Sequence, residues 1–403
     1  MGNRIRNIAF SAFVAVFTFG VILFAVADHF GVIDMASRSY LEGRNYTQLP
    51  EISLERALDK SMQDETESYL ADNVPKRTTV LLANAYMQAQ SIGLASLPFG
   101  FTVCPTYYGS EYAYSSTYDA IFSSPLKVTK ESYKSTKKAV NAVNKFIERH
   151  PDKSFTYYLA DFNSRSMACP LHDLVSEPED YQFWRENFLQ KIDARCTVID
   201  GGYDDSDAYY QDFFHTDHHW QPVGAYKAYQ AIVESFGKQP ADSGELKTMF
   251  TEGMWGSMAR SGRSIWSTPD VIRDYLPDLE GISVRINGEE KQLSNLDTGY
   301  GEHPFTKKDQ LEDVYAGYFH GDSARIEIFN EQGDGGLLII GDSFTNCMER
   351  FFAPNYRYIC ILDPRRYNGD IDEFIADKDI DDVAFICCFR TMVNNKAVKK
   401  LAG

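Results

Sequence analysis

The sequence predicts an α/β fold, a largely parallel sheet with helices against it, and three observations lead there. Short continuous apolar runs stand at Leu337–Ile340, Tyr358–Leu362 and Val383–Cys388, the pattern of strands buried on both faces. Helix-length segments separate them, as strand-helix-strand crossovers require. Upstream, a helical pattern over Lys137–Arg149 leads into a strand-like run at Phe155–Leu159. A second run, Cys196–Asp200, is followed by an acidic loop with Asp204, Asp205 and Asp207, and then by a helical stretch from about Val223 to Phe236. Pro222 near the start of that stretch and Gly237 after it are helix punctuation. Alternation of this kind is the mark of an α/β sheet.

Other regions read less regularly. Thr78–Leu82 looks like a β-type run leading into the globular part, and Leu54, Leu58, Met62 and Leu70 recur near helical spacing. Residues 240–330 are rich in Gly, Ser and polar side chains, and are expected to form an excursion from the sheet with long loops and an antiparallel hairpin near Ile282–Leu293.

The N-terminus is apolar all round. Ile8–Ala27 holds 20 residues without a charge, 17 of them Ala, Val, Ile, Leu or Phe. As a helix it would span about 30 Å, one bilayer core. Arg4 and Arg6 precede it and no acidic residue does, so the rest of the chain is expected outside the cytoplasmic membrane, anchored by this single span. Ala25-Val26-Ala27 also has the small-x-small form of a signal-peptidase site, leaving a cleaved, secreted form open. The expected organisation is therefore an anchor or signal over 1–30, a stalk with an amphipathic helix over 31–77, and one domain over 78–403 with an inserted region at about 240–330.

Composition narrows the functions. In 403 residues, 57 Asp and Glu face 40 Lys and Arg, a net charge of -17, the wrong sign for neutralising phosphates, so a nucleic-acid partner is not expected. The seven cysteines leave at least one thiol unpaired and show no paired C-x-x-C spacing of a structural zinc site; a bridge between Cys169 and Cys196 stays open.

Two segments carry chemistry. In Phe214-His215-Thr216-Asp217-His218-His219-Trp220, three of the chain's eight histidines flank a carboxylate. A metal bound by His215, Asp217 and His219, or a surface histidine cluster, would account for them. So would a base with its orienter, because Asp217, two residues before His219, can hold one ring nitrogen while the other faces a nucleophile. An extended backbone would send His218 and His219 to opposite sides, and the spacing selects His219. Trp220 is expected to pack over the site and shield it from water. In Ile340-Gly341-Asp342-Ser343, a buried strand stops at a serine, where α/β proteins place ligand sites. A helix after it would aim its N–H groups there; a simple cap by Asp342 or Ser343 is the plainer reading.

The motif Thr216-Asp217-His218-His219-Trp220 with Gly224-Ala225-Tyr226, the Asp342-Ser343 pair, Asp363-Pro364-Arg365-Arg366-Tyr367, and Tyr69–Arg77 with Glu42, Arg44 and Pro50 together resemble the DHHW family of bacterial exported proteins. That family is similar to the alginate O-acetyltransferase proteins and the wider SGNH hydrolase-like group. The resemblance implies a three-layer α/β/α sheet with the Asp-x-His segment before the serine instead of after it, Ser343 as nucleophile, His219 as base and Asp217 as its orienter. Asn346 and Arg366 are the candidates for oxyanion donors. It implies no cofactor and no metal, a polysaccharide acceptor, and a membrane-bound partner that supplies acetyl groups. An esterase using the same three residues, and a non-catalytic polysaccharide-binding or assembly protein, are the alternatives.

Overall fold

The four side chains Leu337–Ile340 are fully buried, and they divide between two cores. Leu337 and Ile339 pack in one apolar cluster, Leu338 and Ile340 in another, as the two-residue period of a strand covered on both faces demands. The computed structural model that reveals this describes residues 37–39, 41–50, 53–58, 61–74, 76–96, 112–115, 117–123, 128–160, 179–203, 205–265, 267–291 and 309–403, with a few of the first 36. The apolar stretch Ile8–Ala27, Asp204, Cys169 and the possible Cys169–Cys196 bridge lie wholly or mainly outside the described residues. Among the described residues no helix is long and apolar enough to cross a membrane. The chain divides into two compact units, 1–95 and 96–403.

The second unit is a mixed α/β fold on an eight-stranded sheet. Its strands are β1 (Ser154–Ala160), β2 (Cys196–Gly201), β3 (Ile282–Ile286), β4 (Glu289–Lys291), β5 (Arg325–Asn330), β6 (Gly336–Gly341), β7 (Tyr358–Leu362) and β8 (Asp382–Cys387). They lie in the order β4-β3-β5-β7-β6-β8-β1-β2. β7, β6, β8, β1 and β2 are parallel, with Ile340 of β6 opposite Leu362 on one side and Phe385 on the other. β5, β3 and β4 add an antiparallel edge. Helix Pro222–Ser235 packs in the cluster on one face; helices Lys130–Arg149, Ile371–Asp377 and Asn395–Ala402 pack in the cluster on the other. Gly224 permits the first of these to sit tightly, since a Cβ there would stand 2.6 Å from the Asp212 carbonyl oxygen.

Three expectations are corrected. Thr78–Leu82 is the first part of a helix, Arg77–Ser96; its β-branched start is outweighed by the Ala, Leu, Met and Gln that follow, all good helix formers. The region 240–330 is only partly an excursion. Glu245–Met254 and Asp270–Leu276 form a separate antiparallel ribbon bracketing a short helix, Ser257–Gly262, but the expected hairpin and the strand after it join the main sheet. The segment after β6 is two 3-10 turns, Ser343–Thr345 and Glu349–Phe352, rather than an α-helix. Asp342 causes the first: its side chain accepts from Phe344 N–H at 3.1 Å and its carbonyl from Thr345 N–H at 2.8 Å, closing the chain into a tight turn.

The first unit gathers the polar residues of the stalk. Arg44 makes a bidentate pair with buried Asp72 at 2.8 and 2.6 Å, and Asp72 also accepts from the Thr47 amide and hydroxyl. The Arg44 guanidinium holds the Asp72 carboxyl down to about 2. Arg77 pairs with Glu42 at 2.6 and 3.1 Å. Planar two-bond ion pairs of this kind fix a backbone path where the apolar core is small.

Candidate active site

Ser343 stands just past the carboxyl end of β6, half-buried, at the start of its 3-10 turn. Asp342 ties that end to the segment just past β8, accepting from the Cys388 amide at 3.0 Å and the Thr391 hydroxyl at 2.7 Å. The turn uses its own amides internally, because Asp342 takes those of Phe344 and Thr345 and the Ser343 carbonyl takes that of Asn346. The Ser343 N–H, by contrast, makes no hydrogen bond among the described residues.

The histidine loop packs in the same apolar cluster as the serine turn, through Phe214, Trp220 and Phe344. Its backbone is not extended, and residues 215–219 form a run of bends held by partners far away in sequence. Asp270 accepts from the amides of His215 and Thr216 at 2.8 and 2.7 Å and from the Thr216 hydroxyl at 2.5 Å. Burial pushes this carboxyl up to about 6 against those hydrogen bonds. The Thr216 hydroxyl in turn accepts from Gly256 N–H at 2.8 Å. Gly256 is required by proximity: a Cβ would fall 2.4 Å from the Asp217 Cβ and 2.7 Å from its backbone.

Asp217, His219 and Ser343 come together in a line. His219 Nδ1 lies 2.6 Å from Asp217 Oδ1, and His219 Nε2 lies 2.7 Å from Ser343 Oγ. The carboxylate can only accept, so Nδ1 carries the proton and Nε2 is left to accept from the serine hydroxyl. Burial alone would raise the Asp217 carboxyl; the adjacent His219 and His218 rings, with hydrogen bonds from His219 and the Ser257 amide, hold it well below the usual carboxylate range. Tyr315 lies flat on the His219 ring, centroids 3.8 Å apart and planes 4° from parallel, and its hydroxyl donates to the Ser343 carbonyl at 3.0 Å. Trp220 is buried and its indole donates to the Phe344 carbonyl at 2.9 Å, so it packs beneath the turn.

The remaining sequence candidates fall elsewhere. His218 is not turned away from His219; the bends bring its ring to 3.8 Å from the neighbouring one, and its Nδ1 contacts Ser257 Oγ at 2.8 Å. Burial, reinforced by His219, drives the His218 imidazole down to about 3, so it is neutral. His215 bonds to the Tyr118 carbonyl at 3.0 Å and does not join Asp217, His218 and His219, whose ligand atoms lie within 4.8 Å of one another. A metal there would compete with His219 for the Asp217 oxygen that its Nδ1–H already occupies. Asn346 and Arg366 both bond to Asp322, at 3.2 Å each. Asp270, Gly256, Ser257 and Tyr315 were invisible in the sequence, since nothing local to them marks site residues 28 to 54 positions away.

The comparisons with known proteins agree with this architecture. The structure of Bacillus cereus PatB1 with a sulfonyl adduct is 20% identical, covering 72% of this chain and 99% of that one with a TM-score of 0.57. A DHHW family protein from Eubacterium siraeum is 18% identical, covering 74% and 95%, with a TM-score of 0.55. These likenesses concern the fold. No curated protein matches the sequence. The stretch that contains the histidine loop, the serine turn and the strands on either side, residues 191–362, matches the model of the DHHW protein family.

Proposed function

We propose that Ser343, His219 and Asp217 are the catalytic groups of an extracytoplasmic O-acetyltransferase that passes an acetyl group through a serine ester to a polysaccharide hydroxyl. The observation that carries the reading is the continuous relay of 2.6 and 2.7 Å from Asp217 through His219 to a half-buried serine at a strand end. In this reading His219 Nε2 takes the serine proton as Oγ attacks the acetyl carbonyl, and returns it to the donor's leaving oxygen. The imidazole then deprotonates a sugar hydroxyl, which attacks the acetyl-serine, and the serine regains its proton. Asp217 fixes the tautomer and stabilises the charged ring. The Ser343 N–H, which makes no hydrogen bond among the described residues, is the donor we assign to the oxyanion, in place of Asn346 and Arg366, whose side chains bond to Asp322.

In this reading the SGNH-type order is permuted, with His219 ahead of Ser343, as the family resemblance implies, and the apolar segment Ile8–Ala27 directs the domain outside the membrane as an anchor or a cleaved signal. A membrane-bound acetyl donor fits a chain in which no acyl-carrier motif stands. An esterase differs only in using water as acceptor.

The test is intact mass of the protein after exposure to an activated acetyl ester and, separately, to a sulfonyl fluoride, chosen because Bacillus cereus PatB1 carries a sulfonyl adduct. One acetyl or one sulfonyl group on wild type and none on Ser343→Ala supports the reading. Added oligosaccharide that gains the acetyl group separates transfer from hydrolysis. A folded wild type that takes up neither group removes the acyl-enzyme and favours the binding protein.

A further inference from the structure

A cavity with charged walls lies at the carboxyl end of the same sheet, where the loop after β7 meets the last helix. It encloses about 420 Å³ and is lined by Arg365, Tyr367, Asp370, Lys396, Lys399 and Lys400, among others. Four cations around one hollow are unexpected in a chain of net charge -17.

Internal partners account for only some of these charges. Arg365 is paired with Asp363 at 2.7 Å, and Lys400 donates to the carbonyls of Asn368 and Gly369 at 2.9 and 2.6 Å. Asp370 spends its carboxylate on the Asp372 and Glu373 amides at the start of its own helix. The exposed ammonium groups of Lys396 and Lys399 have no carboxylate partner among the described residues. Lys399 sits in the last turn of helix Asn395–Ala402, where the helix dipole favours a cation. That explanation fails for Lys396, which stands in the first turn, at the positive end of the same dipole, and still faces the cavity. Its position is unfavourable to the helix and favourable to an anion in the hollow. Tyr367, half-buried on the wall, offers a flat face of the kind on which sugar rings stack. The volume suits one or two sugar units.

We propose that this cavity binds an acidic saccharide, its carboxylate or phosphate held by Lys396 and Lys399 and its ring laid on Tyr367. The saccharide half of the assignment rests on the acetyl-transfer reading; the anionic half does not. Arg365 and Tyr367 follow on β7, the parallel neighbour of β6, so the cavity lies at the same carboxyl edge of the sheet as Ser343. The site would then select acidic polymers from neutral ones without touching the reacting atoms.

The experiment is binding by calorimetry, at about 50 mM and about 300 mM salt, of oligogalacturonate, a phosphorylated maltooligosaccharide and unmodified maltotetraose to wild type, Ser343→Ala and Lys396→Glu/Lys399→Glu. One or both anionic sugars should bind wild type and Ser343→Ala alike, more weakly at high salt, with a loss of about tenfold or more in the double variant and no binding of maltotetraose. Whichever anionic sugar binds identifies the charge. Uptake of the sulfonyl group at Ser343 should be unchanged in the double variant, which shows that it is folded. Equal binding by the double variant, equal binding of maltotetraose, or no binding of either anionic sugar overturns the proposal. Loss of Ser343 labelling with binding intact would remove the catalytic reading alone.

Discussion

The serine turn and the histidine loop meet at one 2.7 Å contact but are built in opposite ways. The turn closes locally: Asp342 caps it and its amides bond to Asp342 and Ser343, while its sequence-distant ties run from Asp342 to Cys388 and Thr391 just past β8, from Tyr315 to the Ser343 carbonyl and from Trp220 to the Phe344 carbonyl. The loop has its own bonds between Asp217 and His219, but Asp270, Gly256 and Ser257, from the ribbon and short helix between residues 245 and 276, hold its backbone and its carboxylate from outside. A nucleophile at a strand end is thus fixed by the sheet, and the base is aimed by an insertion in the sheet's sequence. Substitutions in the insertion should act on the base while leaving the nucleophile in place.

The largest effect is expected at the contact itself. Ser343→Ala or His219→Ala should each lower acetyl-ester turnover by about 10⁴-fold or more, and the double variant by little beyond either, because the groups act as a unit. His218→Ala, which removes a neutral ring packed on His219, should retain far more activity than His219→Ala. A reversal of that order would reassign the base.

Next comes Gly256→Ala. The added methyl must displace Asp217, so turnover should fall by about 10²-fold while the double hydrogen bond of Asp342 to the sheet is untouched. Wild-type turnover in that variant would detach the insertion from the site. Tyr315→Phe keeps the ring on His219 but deletes the bond to the Ser343 carbonyl, and should reduce stability by about 1 kcal/mol in urea unfolding. A fall in turnover as large as that of Gly256→Ala would mean that the hydroxyl, not the stacked ring, is what Tyr315 contributes to the site.

The smallest effect belongs to the turn side and is seen through pH. Glu349 is fully buried and accepts from the Thr345 hydroxyl at 2.7 Å, and burial pushes its carboxyl from 4.5 up to about 8. The folded state therefore keeps a proton that the unfolded chain releases, and the associated stability, present below the ordinary value, is lost as pH rises toward about 8. The melting temperature of Glu349→Gln should fall less between about pH 5 and about pH 8 than that of wild type. Parallel curves would show that the group does not titrate in this window.

What could be read beforehand follows the range of the forces involved. The strands at 337–340, 358–362 and 383–388 were legible because a wholly apolar run has few places to go except between two layers. Thr78–Leu82 misled because five residues of β-branched and apolar side chains do not distinguish a strand from one turn of a longer helix. The 3-10 turn after Ser343 was missed because a capping aspartate at a strand end is compatible with either helix, and the Asp342 carboxylate is fixed by Cys388 and Thr391, donors just past β8 and 46 and 49 residues on. The turn's own bonds to Asp342 and Ser343 occupy the amides that a following α-helix would have presented to an oxyanion.

The sequence by itself determined the central sheet, the pairing of Asp217 with His219, and the serine at a strand end, because each depends on apolar runs or on residues two apart. Only the tertiary structure decided that His219 meets a serine 124 residues away, that His218 stacks on it instead of pointing off, and that Asp270 and Gly256 hold the loop. The physical reason is that side-chain period and local capping act within a few residues, while the bends at 215–219 are unfavourable without the buried carboxylate and close backbone that packing delivers.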